Sequence, residues 1–320
     1  MIYRNYVILT ITFIFTLVLS SCNSDNSTQE IIKGKQDIQF GLNINQSEDN
    51  YTKGISSIRI FIVDQHKNII KNELFSNENN SSVSSFTLTD VPSGLFDIYV
   101  LGNELAIESV LNSNLDLNTI DNYADLMGLK TSGTSLHTSK YIPYSGVQKG
   151  VLIDANHKVI SVPISRLISK FDITVQNRDD APLVLTDVKI GNVMDASHFI
   201  YVHGMIQKSP NSIPLIISQE GQIEILPYES KNVALYFYQV SAFHRTDIQD
   251  RGFTLCFKGE NNQVFEPVSL KDTDGNALNR IMPNIIYSLN VSIYQHKHIE
   301  ATIEKLPWRR VNVEIPEFVR

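Results

Sequence analysis

From Asp37 onward the apolar residues recur at every second position, first as Ile38, Phe40, Leu42 and Ile44 and again as Ile58, Ile60 and Ile62. Successive side chains of an extended chain point to opposite sides, so this period gives each segment one apolar face. The pattern returns at 86–88, 95–100, 158–164 and 170–175. It continues at 183–190, 222–226, 232–240, 253–257, 264–268, 286–293, 299–303 and 311–315. Many short strands without regular helices between them predict an all-β chain of antiparallel sheets packed face to face. One stretch differs. Between Glu104 and Leu129 the spacing of Leu105, Ile107, Val110 and Leu111, then Ile120, Tyr123, Ala124 and Met127, suits one or two short helices crossing the end of a sheet. No fixed-period repeat is present, which argues against a propeller or a solenoid.

The chain has 320 residues, more than the usual ~100–200 of one domain, so two are expected. Pro92-Ser93-Gly94 joins two apolar runs at a length suited to a hairpin, because Pro presets φ and Gly admits a positive value. Residues 131–156 return to Gly, Ser, Thr and Pro and read as a connection, with Tyr144-Ser145-Gly146 as a turn. Arg166-Leu167-Ile168-Ser169-Lys170 then opens the second series of strands, placing a boundary near Ser165. The expected organisation is a leader at 1–21, a polar tether at 22–36, and β-sandwiches at 37–165 and 166–320.

The leader has three parts. Met1 to Tyr6 carries Arg4 and no acid, Val7 to Leu19 is an almost unbroken apolar run, and Ser20-Ser21-Cys22 follows. The apolar run is shorter than the ~20 residues a membrane span needs. Leu19-Ser20-Ser21-Cys22 resembles the lipobox of bacterial lipoprotein precursors, which implies cleavage between Ser21 and Cys22 and acylation of Cys22. Two or more acyl chains, at ~0.8 kcal/mol per buried methylene, hold a protein at a membrane durably. Asn23 stands where the resembled sorting system reads Asp as a retention mark, and this favours the outer membrane. The tether, rich in Asn, Ser, Asp, Thr and Gln, lacks the apolar residues to order itself.

Chemistry is sparse. The formal charge is −7 with Lys and Arg scattered, which argues against nucleic acid and against a polybasic membrane patch. After lipidation one cysteine remains, Cys256, so no internal disulfide can form; within Gly252-Phe253-Thr254-Leu255-Cys256-Phe257 it reads as a small buried hydrophobe. No nucleophile elbow, phosphate loop, zinc helix or paired Cys motif occurs, and the chain reads as no enzyme, with no catalytic residue, cofactor or metal site. Three weaker candidates stand out. His296, His298 and Glu300 alternate and would share one strand face able to hold a divalent ion, although an exposed hairpin tip explains them better. Asp272, Asp274 and Asn276 resemble an oxygen-rich calcium loop, but Gly275 comes at the fourth place instead of the sixth, which favours a polar turn. Tyr236, Phe237 and Tyr238 can make an aromatic sugar platform or belong to a strand buried on both faces. Trp308 reads as a core anchor near the last strand.

Several segments, in order, resemble the fimbrillin superfamily of the Bacteroidetes, the subunits of type V fimbriae. They are Cys22 with its tether, the strand 57–64, the turn-strand-Asn element 91–103, Ile142-Pro143-Tyr144-Ser145-Gly146, residues 166–173, and the closing pair 284–291 and 299–308 with the single tryptophan. The resemblance implies two transthyretin-like sandwiches and assembly with other fimbrial subunits by strand exchange, in which a neighbour's strand fills an empty lane. In shaft subunits of that family a protease first removes the N-terminal strand after an arginine. Between Cys22 and Ile58 this chain has no arginine, only Lys33, Lys35 and Lys53. An uncut chain stays moored through Cys22, which favours an outer-membrane anchor over a shaft or tip subunit. A surface glycan-binding lipoprotein is the other reading.

Overall fold

The alternation of apolar residues is realised in strands almost throughout the computed structural model, which describes residues 34–43, 55–76, 85–108, 116–132, 134, 136, 141–154, 160–202, 205–209, 213–243, 252–294, 298–307 and 311–314. The first strands are β1 (Lys35–Asn43), β2 (Ser57–Asp64), β3 (Ile69–Ser76), β4 (Ser85–Pro92), β5 (Gly94–Gly102), β6 (Lys130–Ser132), β7 (Tyr144–Ile153) and β8 (Ser161–Arg166). Next come β9 (Ile168–Asn177), β10 (Leu183–Met194), β11 (Ala196–Phe199), β12 (Ile206–Lys208), β13 (Pro214–Ile225), β14 (Ser230–Tyr238) and β15 (Val240–Ser241). The last are β16 (Thr254–Gly259), β17 (Val268–Ser269), β18 (Arg280–Ile281), β19 (Ile285–Tyr294), β20 (His298–Pro307) and β21 (Val311–Glu314). Among the described residues helix is limited to α1 (Leu105–Glu108), a 3-10 turn at Leu117–Thr119, α2 (Tyr123–Gly128) and a second 3-10 turn at Glu260–Asn262. The first three fall inside the segment whose spacing predicts helix, and the fourth is a single turn outside it.

The first sheet has eight described strands in the order β3-β2-β5-β7-β8-β21-β1-β4. Its two ends approach one another, since the rings of Phe75 on β3 and Phe86 on β4 stack with centroids 4.5 Å apart. The layers enclose a core that includes Ile60, Ile62, Leu88, Val100, Val162 and Ile164. β2 is buried on both faces, because the α1–α2 crossover covers the side opposite that core. The crossover is held by caps: Asn122 Oδ1 accepts from Asp125 N at 2.9 Å, and Asp116 Oδ1 accepts from Asn118 N at 2.9 Å.

Under the crossover sits a buried ion pair. Arg59 Nε donates to Glu104 Oε2 at 2.5 Å and Arg59 Nη2 to Oε1 at 3.0 Å. Two of the three remaining guanidinium protons reach Asn72 Oδ1 (2.8 Å) and Asn118 Oδ1 (2.7 Å). Asn72 Nδ2 in turn donates to the carbonyls of Leu117 and Ile120. A charge so far from water is tolerable only with its hydrogen-bonding capacity taken up in this way.

The second core lies between two four-stranded sheets, β13-β10-β16-β17 and β14-β9-β19-β20. At its centre Phe171 packs against Phe237 and Tyr287, each 5.2 Å away between centroids. β9 shows the expected alternation, with Phe171, Ile173 and Val175 inward. One pairing departs from the antiparallel expectation: β19 runs parallel to β9, with Ile286 opposite Lys170 and Ile293 opposite Asn177. The reason is topological. The chain between these strands crosses to the other sheet before returning, so a hairpin reversal is not imposed.

Other sequence expectations are corrected. Pro92-Ser93-Gly94 makes no hairpin, because β4 pairs with β1 while β5 pairs with β2 and β7. The positive φ lies at Asp90 (59°), earlier than the glycine. Tyr144-Ser145-Gly146 is the start of β7 and no turn. Residues 264–268 form no continuous strand; Val264 makes an isolated bridge to Lys258 and only Val268–Ser269 is a strand. β3 and β7 carry no clear alternation because residues such as Gln148, Lys149 and Gly150 in β7 interrupt it, and β13 opens on the unalternating run Leu215-Ile216-Ile217.

Residues from the second half of the chain complete the first core. Tyr201 Oη donates to Val100 O (3.3 Å), and Tyr238 Oη donates to Ala106 O (3.0 Å). The ring of Tyr201 meets Tyr99 edge-on at 5.2 Å. A small sheet, β12-β11-β6, joins β6 to strands that follow β9 and β10 in the chain.

Candidate assembly site

The first and last described strands lie side by side. β21 has four residues and is inserted between β8 and β1. On one flank Val311, Asn312, Val313 and Glu314 stand opposite Ile164, Pro163, Val162 and Ser161. On the other, Asn312, Val313 and Glu314 stand opposite Asn43, Leu42 and Gly41. The sequence order groups residues 311–315 with the second series of strands, but the sheet that contains β21 is the first. Sequence order carries no information on which sheet receives a strand, since any of several apolar lanes accepts the same alternating pattern.

β1 has a firmer hold on its other side. It pairs with β4 from Lys35 opposite Pro92 to Gly41 opposite Ser85, with an irregularity between Gln36 and Ile38. Gln36 Nε2 donates to Ser93 Oγ at 2.8 Å, Ser93 N to Gly34 O at 3.2 Å, and Lys35 faces Asp90 at 3.5 Å. Neighbouring strands are ~4.8 Å apart, so withdrawing either terminal strand would leave a lane ~9.6 Å wide between those flanking it. Val162, Ile164 and Leu88, all fully buried, line that region. Each edge backbone group left without a partner there would cost on the order of 1–3 kcal/mol unless water or another strand reached it.

The floor of the β7–β8 lane depends on one glycine. A Cβ on Gly146 would lie 2.2 Å from Pro163 O and 2.7 Å from Ile164 Cγ2, so no other residue fits without moving backbone.

The weaker sequence candidates resolve individually. His298 and Glu300 project from β20, both about 64–63% exposed, with Nε2 and Oε1 3.6 Å apart; His296 lies outside the described residues. Asp272 heads a polar turn, its Oδ1 accepting from Asp274 N (3.1 Å) and Asn276 N (2.9 Å), with Gly275 at φ 81°. Desolvation would raise the Asp272 carboxyl, but those amides and Lys305 outweigh it and hold its pKa low. The turn thus spends its oxygens on its own backbone and a lysine. Tyr236, Phe237 and Tyr238 are all buried, so they offer no platform to a sugar. Cys256 is half-buried, its Sγ 3.3 Å from Phe265 O, and desolvation pushes the thiol pKa up, away from reactivity. Among the described residues no three His, Cys, Asp or Glu side chains converge on a metal position. Among them, too, no helix is long and apolar enough to cross a membrane. Cys22, Lys33, Lys53 and Trp308 lie outside the described residues.

No protein-family model and no curated protein sequence matches the chain significantly. The fold does have counterparts among solved structures: it is that of fimbrial proteins of Bacteroidetes. A C-terminally truncated form of the tip fimbrial protein Mfa3 from Porphyromonas gingivalis superposes with a TM-score of 0.54 at 12% identity, covering 85% of this chain and 100% of that one. A fimbrial assembly protein from Parabacteroides distasonis gives 0.51 at 13% identity, with 85% and 96% covered. A fimbrilin, FimA, from P. gingivalis gives 0.51 at 11% identity, with 85% and 97% covered. The similarity is one of architecture, spanning most of the chain.

Proposed function

We propose that this chain is a structural subunit of a cell-surface fimbria that supports adhesion, and that it works by exchanging backbone strands with neighbouring subunits. The observation that carries the reading is the seam at β1 and β21, where the first and last described strands occupy adjacent lanes of one sheet. A strand held at the end of a chain can leave its lane without unfolding what lies between. The vacated lane then presents unpaired backbone and an apolar floor, which is the surface a donor strand recognises. The short β21, paired over four residues with β8 and three with β1, is the less firmly held of the two. Likeness in fold to fimbrial proteins supports the same reading.

Within that function we place the chain as the outer-membrane anchor, fixed through acylated Cys22. The support is the absence of arginine between Cys22 and Ile58, which leaves an arginine-specific protease no means of releasing β1. The 37–165 and 166–320 units are proposed as the two sandwiches, with β21 returning to the first.

Mass spectrometry of the protein purified from the cell surface tests the assignment. Acylated Cys22 in a detergent-stable, high-mass assembly is the expected result. A chain that begins after Asn43 would mean a cut subunit of the shaft or tip, and a lone monomer with an intact lipid would remove the fimbrial reading altogether.

A further inference from the structure

Among the described residues the longest strand at a sheet edge is β13, whose twelve residues pair with β10 on one flank and with no strand on the other. That flank presents unpaired N–H and C=O groups over about 40 Å, a template for another strand. Such edges are commonly blunted by lysine, and β13 has none. Instead, apolar side chains stand in water along and beside it. Ile213 is 66% exposed, Ile216 65%, Leu226 46% and Tyr228 66%. Tyr228 also sits at φ 60°, in the turn that Glu229 N closes on Leu226 O at 3.1 Å, a conformation that strains a bulky residue.

The sequence of this edge is complementary to itself. When two copies of β13 run antiparallel about a two-fold axis at Gly221, Ile216 stands opposite Leu226 of the second copy and Ile217 opposite Ile225. Ile217 and Ile225 are buried in the core of each copy, whereas Ile216 and Leu226 are exposed, so each pair joins like with like. The same register brings Tyr228 to Pro214 of the second copy. Glu220 meets Gln222 and Glu224 meets Ser218, so no carboxylate stands directly against another. With the axis moved to residue 220, Glu220 would oppose itself; with the axis at residue 222, it would oppose Glu224. A Cβ on Gly221 would meet nothing within 4 Å, so the axis position is open to a second backbone. The irregularity in the β10–β13 pairing, between Leu185 and Asp187, falls beside this axis and bends both copies alike.

We propose that a second copy of this chain docks here, the two β13 strands joining two four-stranded sheets into one across a two-fold axis. The contact belongs to the second core and is separate from the β1–β21 seam, so it stands or falls apart from strand exchange.

Sedimentation equilibrium of the full mature chain with Cys22→Ser, which removes the acylation site, is expected to show a monomer–dimer equilibrium with Kd below ~200 µM. Ile216→Lys should raise that Kd about tenfold or more with far-UV circular dichroism unchanged, because the side chain it replaces is exposed. Glu220→Gln combined with Glu224→Gln should lower the Kd about threefold or more, since each glutamate lies diagonal to one of the second copy, and no folding defect tightens a dimer. Cysteines read the register. Gly221→Cys, opposite itself on the axis, should give a disulfide-linked dimer under mild oxidation, and Gln219→Cys, opposite Ile223, should not. A monomer at ~1 mM, a dimer indifferent to Ile216→Lys, or equal cross-linking through Gln219→Cys and Gly221→Cys would each overturn the proposal.

Discussion

Replacing Glu104 by glutamine would keep the volume of the side chain but strand the Arg59 guanidinium, which is 2% exposed, opposite a neutral group. Of the two bonds from Arg59 to this carboxylate, one would now face an amide NH2, donor against donor. The bonds to Asn72 and Asn118 cannot neutralise the charge. Breaking a buried pair by removing one partner costs ~3–5 kcal/mol, against a total stability of ~5–15 kcal/mol. The damage would spread, because Asn72 also holds the Leu117 and Ile120 carbonyls and so the crossover itself. For a unit of 150–250 residues, ~3 kcal/mol corresponds to a fall of roughly 6–12 °C in Tm. Urea denaturation followed by far-UV circular dichroism gives the free energy, and a thermal scan gives the Tm. Arg59→Met combined with Glu104→Leu should recover part of the loss, since an apolar pair leaves no buried charge. A loss below ~1 kcal/mol for Glu104→Gln would show that water reaches Arg59, and the reasoning from burial would be wrong.

Three further outcomes are expected. Gly146→Ala forces the Pro163 carbonyl away from β7 and should destabilise the protein by ~1–3 kcal/mol in the same urea assay, whereas Gly150→Ala, in open space, should cost less than that despite its positive φ. Desolvation first and Arg280 second depress the His198 pKa to about 4 from 6.5, so the unfolded chain binds this proton more tightly. Stability present above pH 6.5 should therefore fall as pH drops from 6.5 toward 4, by up to ~3 kcal/mol, and His198→Phe should flatten that limb in denaturation curves taken at several pH values. Cysteines at Val162 and Val313, which face each other across β8 and β21, should lock β21 in place when oxidised and reduce high-mass assemblies on non-reducing gels, with recovery on adding reductant. Assemblies unchanged by this lock and by a second one at Ile38 and Leu88 across β1 and β4 would exclude exchange at the seam.

The sequence by itself determined the class of fold and most of the strands, because a period of two leaves a residue only two faces to choose between. The helical crossover was legible for the same reason, in the changed spacing from Leu105 to Met127. The Arg59–Glu104 pair was invisible, since its members lie 45 residues apart in the chain and nothing local marks their meeting. Strand pairing, by contrast, is fixed in three dimensions. It set β19 parallel to β9, kept β4 from β5, and carried β21 back between β8 and β1. An apolar stripe specifies that a strand will be buried, while the neighbour it receives depends on which backbone lane is open once everything else has packed.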